Sequence, residues 1–421
     1  MVQEKILVSR GTTLFMLMCL FVLFFQNSLQ VFFPLLNYFD EFLSLAFFAL
    51  YILQTLSTQK AILSDLVLIF LSFVCILIGF VGNYLSKGQS SFFFQVSDVV
   101  SIFRFILLYI GLKNYYSLNY FKINYRAVFK IIIPILKVYV LLLFTLSIVN
   151  IFKNINMSYD VRYGIRSFAF VFGTPGLVIN QMTYALIFFT CYKINSSKLN
   201  VNIFIGLTLI IIAATLRARA FILIIVYVGL YFFSLILKSK HYKLKILIGS
   251  LVVTISGFSQ FEYYFLNGSY ITPRERFVTG AGILMKEYWP FGSGFGTFGS
   301  SAAAQNYSNI YYQLGFSSLR GLSPDNQLFL NDNYFPMIFG QLGILGGMIF
   351  VIILILFATS FVTNFFVNKC AGNKLISGFV IADIFLSSVQ SSYLAHYSNV
   401  ALIFIAMFCF GTLKKGKCTL D

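Results

Sequence analysis

The chain has 421 residues, of which 59% are hydrophobic and 10% charged, with a formal net charge of +17 and a mean hydropathy of +0.86. A water-soluble globule is nearer half apolar and about a quarter charged, so this composition excludes one. Apolar runs of about 20 residues recur from end to end, as a multispanning membrane protein requires.

Twelve spans are expected, near residues 12–32, 37–56, 61–81, 93–112, 131–151, 172–192, 201–216, 219–237, 244–265, 335–358, 374–390 and 395–412. The expected fold is therefore all-α: a polytopic integral membrane protein with one large outer loop containing short helices. No stretch reads as an extra soluble domain, and residues 1–421 read as a single integral membrane domain. The first run follows Lys5 and Arg10 as a signal peptide would, but no small-x-small cleavage site follows and more spans do. It reads as a retained first helix.

An inside N-terminus puts the short basic segments on the cytoplasmic side. These are Lys60; Lys113, Lys122, Arg126 and Lys130; Lys193 and Lys198; Lys238, Lys240, Lys243 and Lys245; Lys369 and Lys374; and Lys414, Lys415 and Lys417. That order satisfies the positive-inside rule with both termini cytoplasmic. All six cysteines, Cys19, Cys75, Cys191, Cys370, Cys409 and Cys418, then fall in spans or on the cytoplasmic side, and no Cys/His cluster suggests a metal site.

The two basic residue types separate on this topology. Sixteen of twenty lysines are cytoplasmic, whereas seven of ten arginines are outer: Arg162, Arg166, Arg217, Arg219, Arg274, Arg276 and Arg320. Outward cations oppose the insertion bias, and arginine's planar fork holds phosphate or carboxylate in a bidentate way that lysine cannot match. An anionic outer ligand is one explanation. Pairing with the outer carboxylates Asp160, Glu262, Glu275, Glu287, Asp325 and Asp332, or with lipid headgroups, is the other.

Charges within spans are Asp65, Asp98, Arg104, Lys137 and Asp383; such residues are usually functional or paired inside the bundle. Asp98 and Arg104 are six apart, so they do not share a helix face and must find partners elsewhere.

About seventy residues, 266–334, separate the ninth and tenth spans, and a loop this long is usually functional. It opens on ITPRERFVTGAGILMKEYWP. Thr272 as N-cap, Pro273 at the first helical position and Glu275 form a capping-box signature, and Pro290 stops the helix. Arg274 and Arg276 fall in its first turn, where the macrodipole disfavours cations; a bound anion or pairing with Glu275 or Glu262 would offset that. Next comes PFGSGFGTFGSS, whose glycines let backbone approach a ligand or a neighbouring chain closely. It lacks the P-loop lysine and a preceding strand. The loop ends at SPDNQLFLNDNYFPMIFGQLGILGG. Acidic residues at a membrane entrance serve as general bases, as acceptors for sugar hydroxyls or as helix caps, and all three readings stay open for Asp325 and Asp332.

At this point the chain resembles the O-antigen polymerase/O-antigen ligase superfamily of lipid-linked oligosaccharide glycosyltransferases. LRARAFILI looks like the family's arginine at the outer start of a span, with Arg219 the better match and Arg217 close behind. GILMKEYWPFGSGFGTF looks like its helix, proline and glycine-rich loop. NDNYFPMIFGQLGILGG resembles its Asn, then two glycines, here Asn333, Gly343 and Gly346. The ligase branch typically has histidine before that asparagine; Asp332 stands here, which favours the polymerase branch. Arg162 and Gly173 fit an Arg-x10-Gly spacing described for polymerases, but with ten arginines and 29 glycines the spacing carries little weight.

The resemblance implies transfer of an oligosaccharide repeat unit from undecaprenyl pyrophosphate to the non-reducing end of another lipid-linked unit, at the outer face of a bacterial inner membrane. It implies no cofactor, metal or nucleic acid; membrane lipid and a flippase and chain-length regulator of the same pathway would be the partners. Arg217, Arg219, Arg162, Arg166, Arg274, Arg276, Arg320 and Asn333 are the candidate pyrophosphate contacts. Asp332, Glu287, Asp325 and His396 are the candidate bases. His396 is the one outer histidine and has a plain hydrogen-bonded structural role as its alternative; His241 lies among lysines and reads as solvated. A ligase-type transferase and a lipid-linked oligosaccharide flippase or other transporter are the competing readings, although the single long loop breaks the internal symmetry common in transporters.

Overall fold

The computed structural model of the protein describes residues 9–59, 61–119, 122–196, 200–236, 272–363 and 371–412. The expected span 244–265, Glu262, His241, Lys5, Lys60, Lys198, Lys238, Lys240, Lys243, Lys245, Lys369, Lys414, Lys415, Lys417, Cys370, Cys418 and loop residues 266–271 lie outside the described residues.

The chain is an all-α membrane protein. Its long helices are α1 (Arg10–Phe32), α2 (Phe39–Thr58), α3 (Leu63–Ser86), α4 (Phe92–Asn119), α5 (Tyr125–Phe152), α6 (Pro175–Ser196), α7 (Asn200–Ala214) and α8 (Ala218–Ile236). Then follow α9 (Pro273–Glu287), the short α10 (Ser301–Gln305) and α11 (Asn309–Gln313), and α12 (Tyr334–Thr363), α13 (Ala371–Gln390) and α14 (Tyr397–Thr412). Eight of these are long and apolar enough to cross a membrane, and α7, α8 and α14 are shorter apolar helices. Helices α4 and α5 run past the expected edges at 112 and 131: Lys113 folds back onto Asp65 at 2.6 Å, and the Asn124 side chain caps α5 by accepting from Ala127 N.

One element was not expected. Strands β1 (Ser158–Arg162) and β2 (Ile165–Phe168) form an antiparallel ribbon in the link between α5 and α6, with Arg162 opposite Ile165. Tyr163 and Gly164 both take positive φ, 53° and 78°, the two-residue turn whose twist suits a hairpin. The span-oriented reading passed over it because the ribbon is short and its outward side chains, Tyr159, Val161 and Tyr163, stay exposed.

Successive helices run back and forth, so their connections collect on two faces. On one face Ser9 N donates to Lys122 O at 3.0 Å and Asn124 N to Thr13 Oγ1 at 3.0 Å. The other, the loop face, carries the ribbon, the bend at 215–217, the long loop and the link between α13 and α14.

The long loop is a lobe with its own core of Phe277, Ala281, Leu284, Phe298, Tyr311 and Phe316, in which Tyr311 and Phe316 stack at 5.7 Å. Helix α9 starts where its sequence predicts: Thr272 accepts from Glu275 N at 3.3 Å and Pro273 takes the first position.

The glycine-rich segment after α9 is buried from Gly292 to Ser300. Its N–H groups are used internally: Ser293 to Gly340 O, Gly294 to Gln341 O, Phe295 to Asn83 Oδ1, Gly296 to Asp98 Oδ2 and Gly299 to the Tyr311 hydroxyl. Its glycines therefore serve close approach to neighbouring backbone. A side chain at Gly82 would meet Gly292 O at 2.8 Å. Gly343, at φ 62° and ψ −166°, breaks α12 where Pro290 to Gly292 cross it. Asp98 is thereby accounted for: besides Gly296 it accepts from Gln341 Nε2 at 2.8 Å, pinning the loop lobe to the bundle. Lys137 lies over the Phe204 ring at 5.0 Å.

Candidate functional site

The bend between α7 and α8 turns on Thr215, Leu216 and Arg217, with Leu216 at φ 52°. Its two arginines go to different places. Arg217 stays at the surface and reaches back to the ribbon, with Nη2 3.4 Å from Asp160 and its guanidinium over the Tyr159 ring at 4.9 Å. Arg219, second residue of α8, is buried at 6% exposure. It donates through Nη2 to Asp383 of α13 at 2.9 Å and to Asn180 of α6 at 2.8 Å.

The link Gln390–His396 between α13 and α14 gathers three arginines from three elements. Arg274, in the first turn of α9, donates to Gln390 O at 3.2 Å. Arg219 lies with its guanidinium 5.0 Å from the centre of the Tyr393 ring. Arg104, inside α4, donates to Ala395 O. Arg104 also pairs with Asp40 and, at 3.3 Å, with Glu41, both in the first turn of α2. The Asp40 carboxylate is held in turn by Gln26 at 2.9 Å.

The end of the long loop is tied to the same link, because Ser392 donates to Asn331 O through both its N–H and its hydroxyl, at 3.0 Å each. Asp332 follows directly. Burial pushes its carboxyl up to about 6, and the neighbouring Arg274 pulls the other way. Asn333 is buried and donates to Arg274 O at 3.1 Å. His396 sits half-buried at the other end of the link, near Arg104 and Arg219.

Among the described residues, neither buried guanidinium uses its Nε. Arginine carries five donors, and Arg219 spends a single nitrogen on both Asp383 and Asn180. Nε of Arg219 and of Arg104 is buried with no hydrogen-bond partner among the described residues. Fixed, partly unused donors in a low-dielectric setting suit an anionic group, since such donors need no reorganisation to receive it.

A second group lies on the ribbon. Arg162 Nε is 2.9 Å from Asp160, which also receives Arg217 and the Ser167 hydroxyl. Burial raises the Asp160 carboxyl, but the Ser167 bond and the two arginines outweigh it and hold it below its ordinary value. Arg166 donates to Ile151 O at 3.3 Å. For Arg162 and Arg217, pairing with the Asp160 carboxylate is what the structure contains.

The remaining sequence candidates stand apart. Glu287 is exposed at the far end of α9, thirteen residues and thus about 20 Å along the helix from Arg274. Asp325 is exposed in the turn that pairs Ser323 with Asn326, and Arg320 is exposed on the same lobe. Arg276 is half-buried in the first turn of α9.

Sequence reasoning noticed Arg104 and Asp383 as charges within spans but gave them no place in the site, and it passed over Asp40 and Tyr393. Intramembrane charge was the available signal; which helices would bring those charges together was not.

No protein-family model matches the chain, and no curated protein matches it.

Proposed function

We propose that the chain is a polymerase of lipid-linked oligosaccharide repeat units, acting at the outer face of a bacterial inner membrane on undecaprenyl-pyrophosphate donors, with the loop face outward. The observation that carries this reading is the convergence of Arg104, Arg219 and Arg274 on the link Gln390–His396, with unused buried donors on the first two. The sequence resemblance supplies the substrate class.

In the reaction, a hydroxyl of the acceptor's non-reducing sugar attacks the anomeric carbon of the donor. The bond from that carbon to the phosphate oxygen breaks, and its electron pair leaves with the lipid pyrophosphate. Arg219, Arg104 and Arg274 would hold that growing negative charge. Asp332 would take the proton of the attacking hydroxyl: a carboxylate raised to about 6 is still ionised at neutral pH and is a better base than an ordinary aspartate. Asn333, bound to Arg274 O, would position α9 and its arginine. The leaving group is already a pyrophosphate, so the step balances without nucleotide or added oxidant.

Deleting the gene tests the reading in cells. Surface glycan reduced to single repeat units is the expected result. Loss of all surface glycan would point to translocation of the lipid-linked unit instead, and unchanged chain lengths would refute the proposal.

A further inference from the structure

We propose that His396 is held as a neutral imidazole with its proton on Nε2, and that it donates a hydrogen bond to a phosphate oxygen of a ligand held by Arg104 and Arg219 instead of serving as a base. The identity of the ligand rests on the function proposed above; the tautomer does not.

Helix α14 begins at Tyr397, so the N–H of Ser398 is one of the donors that a helix start leaves without an intrahelical partner. His396 has the extended backbone of an N-cap, φ −100° and ψ 147°, and its carbonyl already accepts from Asn399 N at 3.1 Å. At an N-cap a side-chain acceptor normally satisfies the second or third N–H. Here the imidazole takes that part: Ser398 N donates to Nδ1 at 3.3 Å. A backbone N–H cannot reverse its role, so Nδ1 must present its lone pair. The Ser398 hydroxyl, 2.9 Å from Nδ1, can donate to the same lone pair, and Ser398 O is itself held by the Tyr184 hydroxyl at 2.7 Å.

The proton of the neutral ring is therefore on Nε2. Among the described residues Nε2 makes no hydrogen bond. The ring packs against Tyr397 with centroids 4.1 Å apart, which fixes its plane.

Charging the ring is opposed by burial, by the cap and by the two nearby guanidiniums. Protonation at Nδ1 would break the cap, and a cation at a helix N-terminus meets the positive end of the macrodipole. The neighbouring charged groups are Arg104 from α4, with Asp40 and Glu41 of α2 on it, and Arg219 from α8, with Asp383 of α13 on it. Burial, then Arg104, then Arg219 pull the imidazole down to about 3. A residue so placed is a donor that stays neutral across the physiological range, suited to a phosphate oxygen whose charge grows as the glycosyl bond breaks.

The chain has two histidines, which makes a direct test possible. Full-length His241→Asn protein in lipid nanodiscs, labelled with 15N in the imidazole, reports His396 alone. Between about pH 5 and 8 the spectrum should show one unprotonated nitrogen, Nδ1, and one protonated nitrogen, Nε2, without titration. Inorganic pyrophosphate should shift the Nε2 signal and leave Nδ1 unprotonated. A ring protonated on Nδ1, or charged within that window, overturns the proposal. So does a fixed tautomer that ignores pyrophosphate in a protein that lengthens chains. In the chain-lengthening assay His396→Gln, which keeps a donor near Nε2, should stay within about tenfold of the parent, while His396→Glu should lose on the order of a hundredfold or more; the reverse order overturns the donor role. If the parent neither lengthens chains nor responds to pyrophosphate, the donor role and the proposed function fall together while the tautomer stands.

Discussion

Arg219 and Asp383 form a buried ion pair between α8 and α13, with Nη2 2.9 Å from Oδ1 and side-chain exposures of 7% and 0%. It is closed off by Asn180, by the Ser387 hydroxyl on the same carboxylate oxygen at 2.9 Å, and by the Tyr393 ring. The pair ties the start of one helix to the interior of another and places a guanidinium beside the α13–α14 link.

Removing one partner leaves the other buried and uncompensated. Arg219→Ala and Asp383→Ala are each expected to destabilise the protein by about 3–5 kcal/mol, read as thermal unfolding in detergent. The double variant should recover much of that stability, because no lone charge remains, yet should stay without chain-lengthening activity. Recovery of both stability and activity in the double variant would make the pair purely structural.

The Asp332 carboxyl, raised to about 6, must be ionised to accept a proton. Activity should therefore fall as pH drops through about 6 and be lost well below it. Asp332→Asn should abolish activity at all pH values while folding normally. An acid limb centred nearer 4, the ordinary carboxylate range, would remove Asp332 from the base role.

Arg217 and Arg219 are two residues apart but should behave differently. Arg217 is 23% exposed and its Asp160 partner 30% exposed, and pairs of that kind contribute little to stability. Arg217→Ala should reduce activity less than about tenfold, against a loss of about a hundredfold or more for Arg219→Ala. The depressed Asp160 carboxyl gives the ribbon support that is complete above the ordinary aspartate pKa and fades as pH falls through the lower folded value. Protease nicking at 158–168 should accordingly increase only below about pH 4.

Gly343 takes a backbone conformation nearly restricted to glycine, and a side chain there would meet Pro290 O and, at 2.5 Å, Gly292 N. Such conformations cost on the order of 1–3 kcal/mol for other residues, with the clash in addition. Gly343→Ala should yield little folded protein by size-exclusion chromatography. Gly176, in α6 with nothing within 4 Å, should accept alanine without loss.

Much of the bundle was legible because hydropathy is one-dimensional: each apolar run of about 20 residues names its own helix. The capped start of α9 was legible for the same reason, since Thr272, Pro273 and Glu275 act within four residues. The site was legible in part. The arginines stood out against the lysine topology, but Arg219 turns inward to Asp383, 164 residues on, while Arg217 turns outward to Asp160, and no local pattern separates two residues on one bend. Asp40 drew no notice in the sequence; its meaning comes from Arg104, 64 residues away. The glycine-rich loop advertised close approach, and the structure supplies the object of that approach: the backbone of α12 and α3.

The most direct test is reconstitution. Purified protein in lipid, given an undecaprenyl-pyrophosphate-linked repeat unit and no nucleotide sugar or added metal, should produce a ladder of lengthened glycans and release the lipid pyrophosphate. Arg104→Ala, Arg219→Ala and Arg274→Ala should each suppress that ladder. Folded parent protein that yields no ladder, or a ladder undiminished in all three variants, would contradict the account.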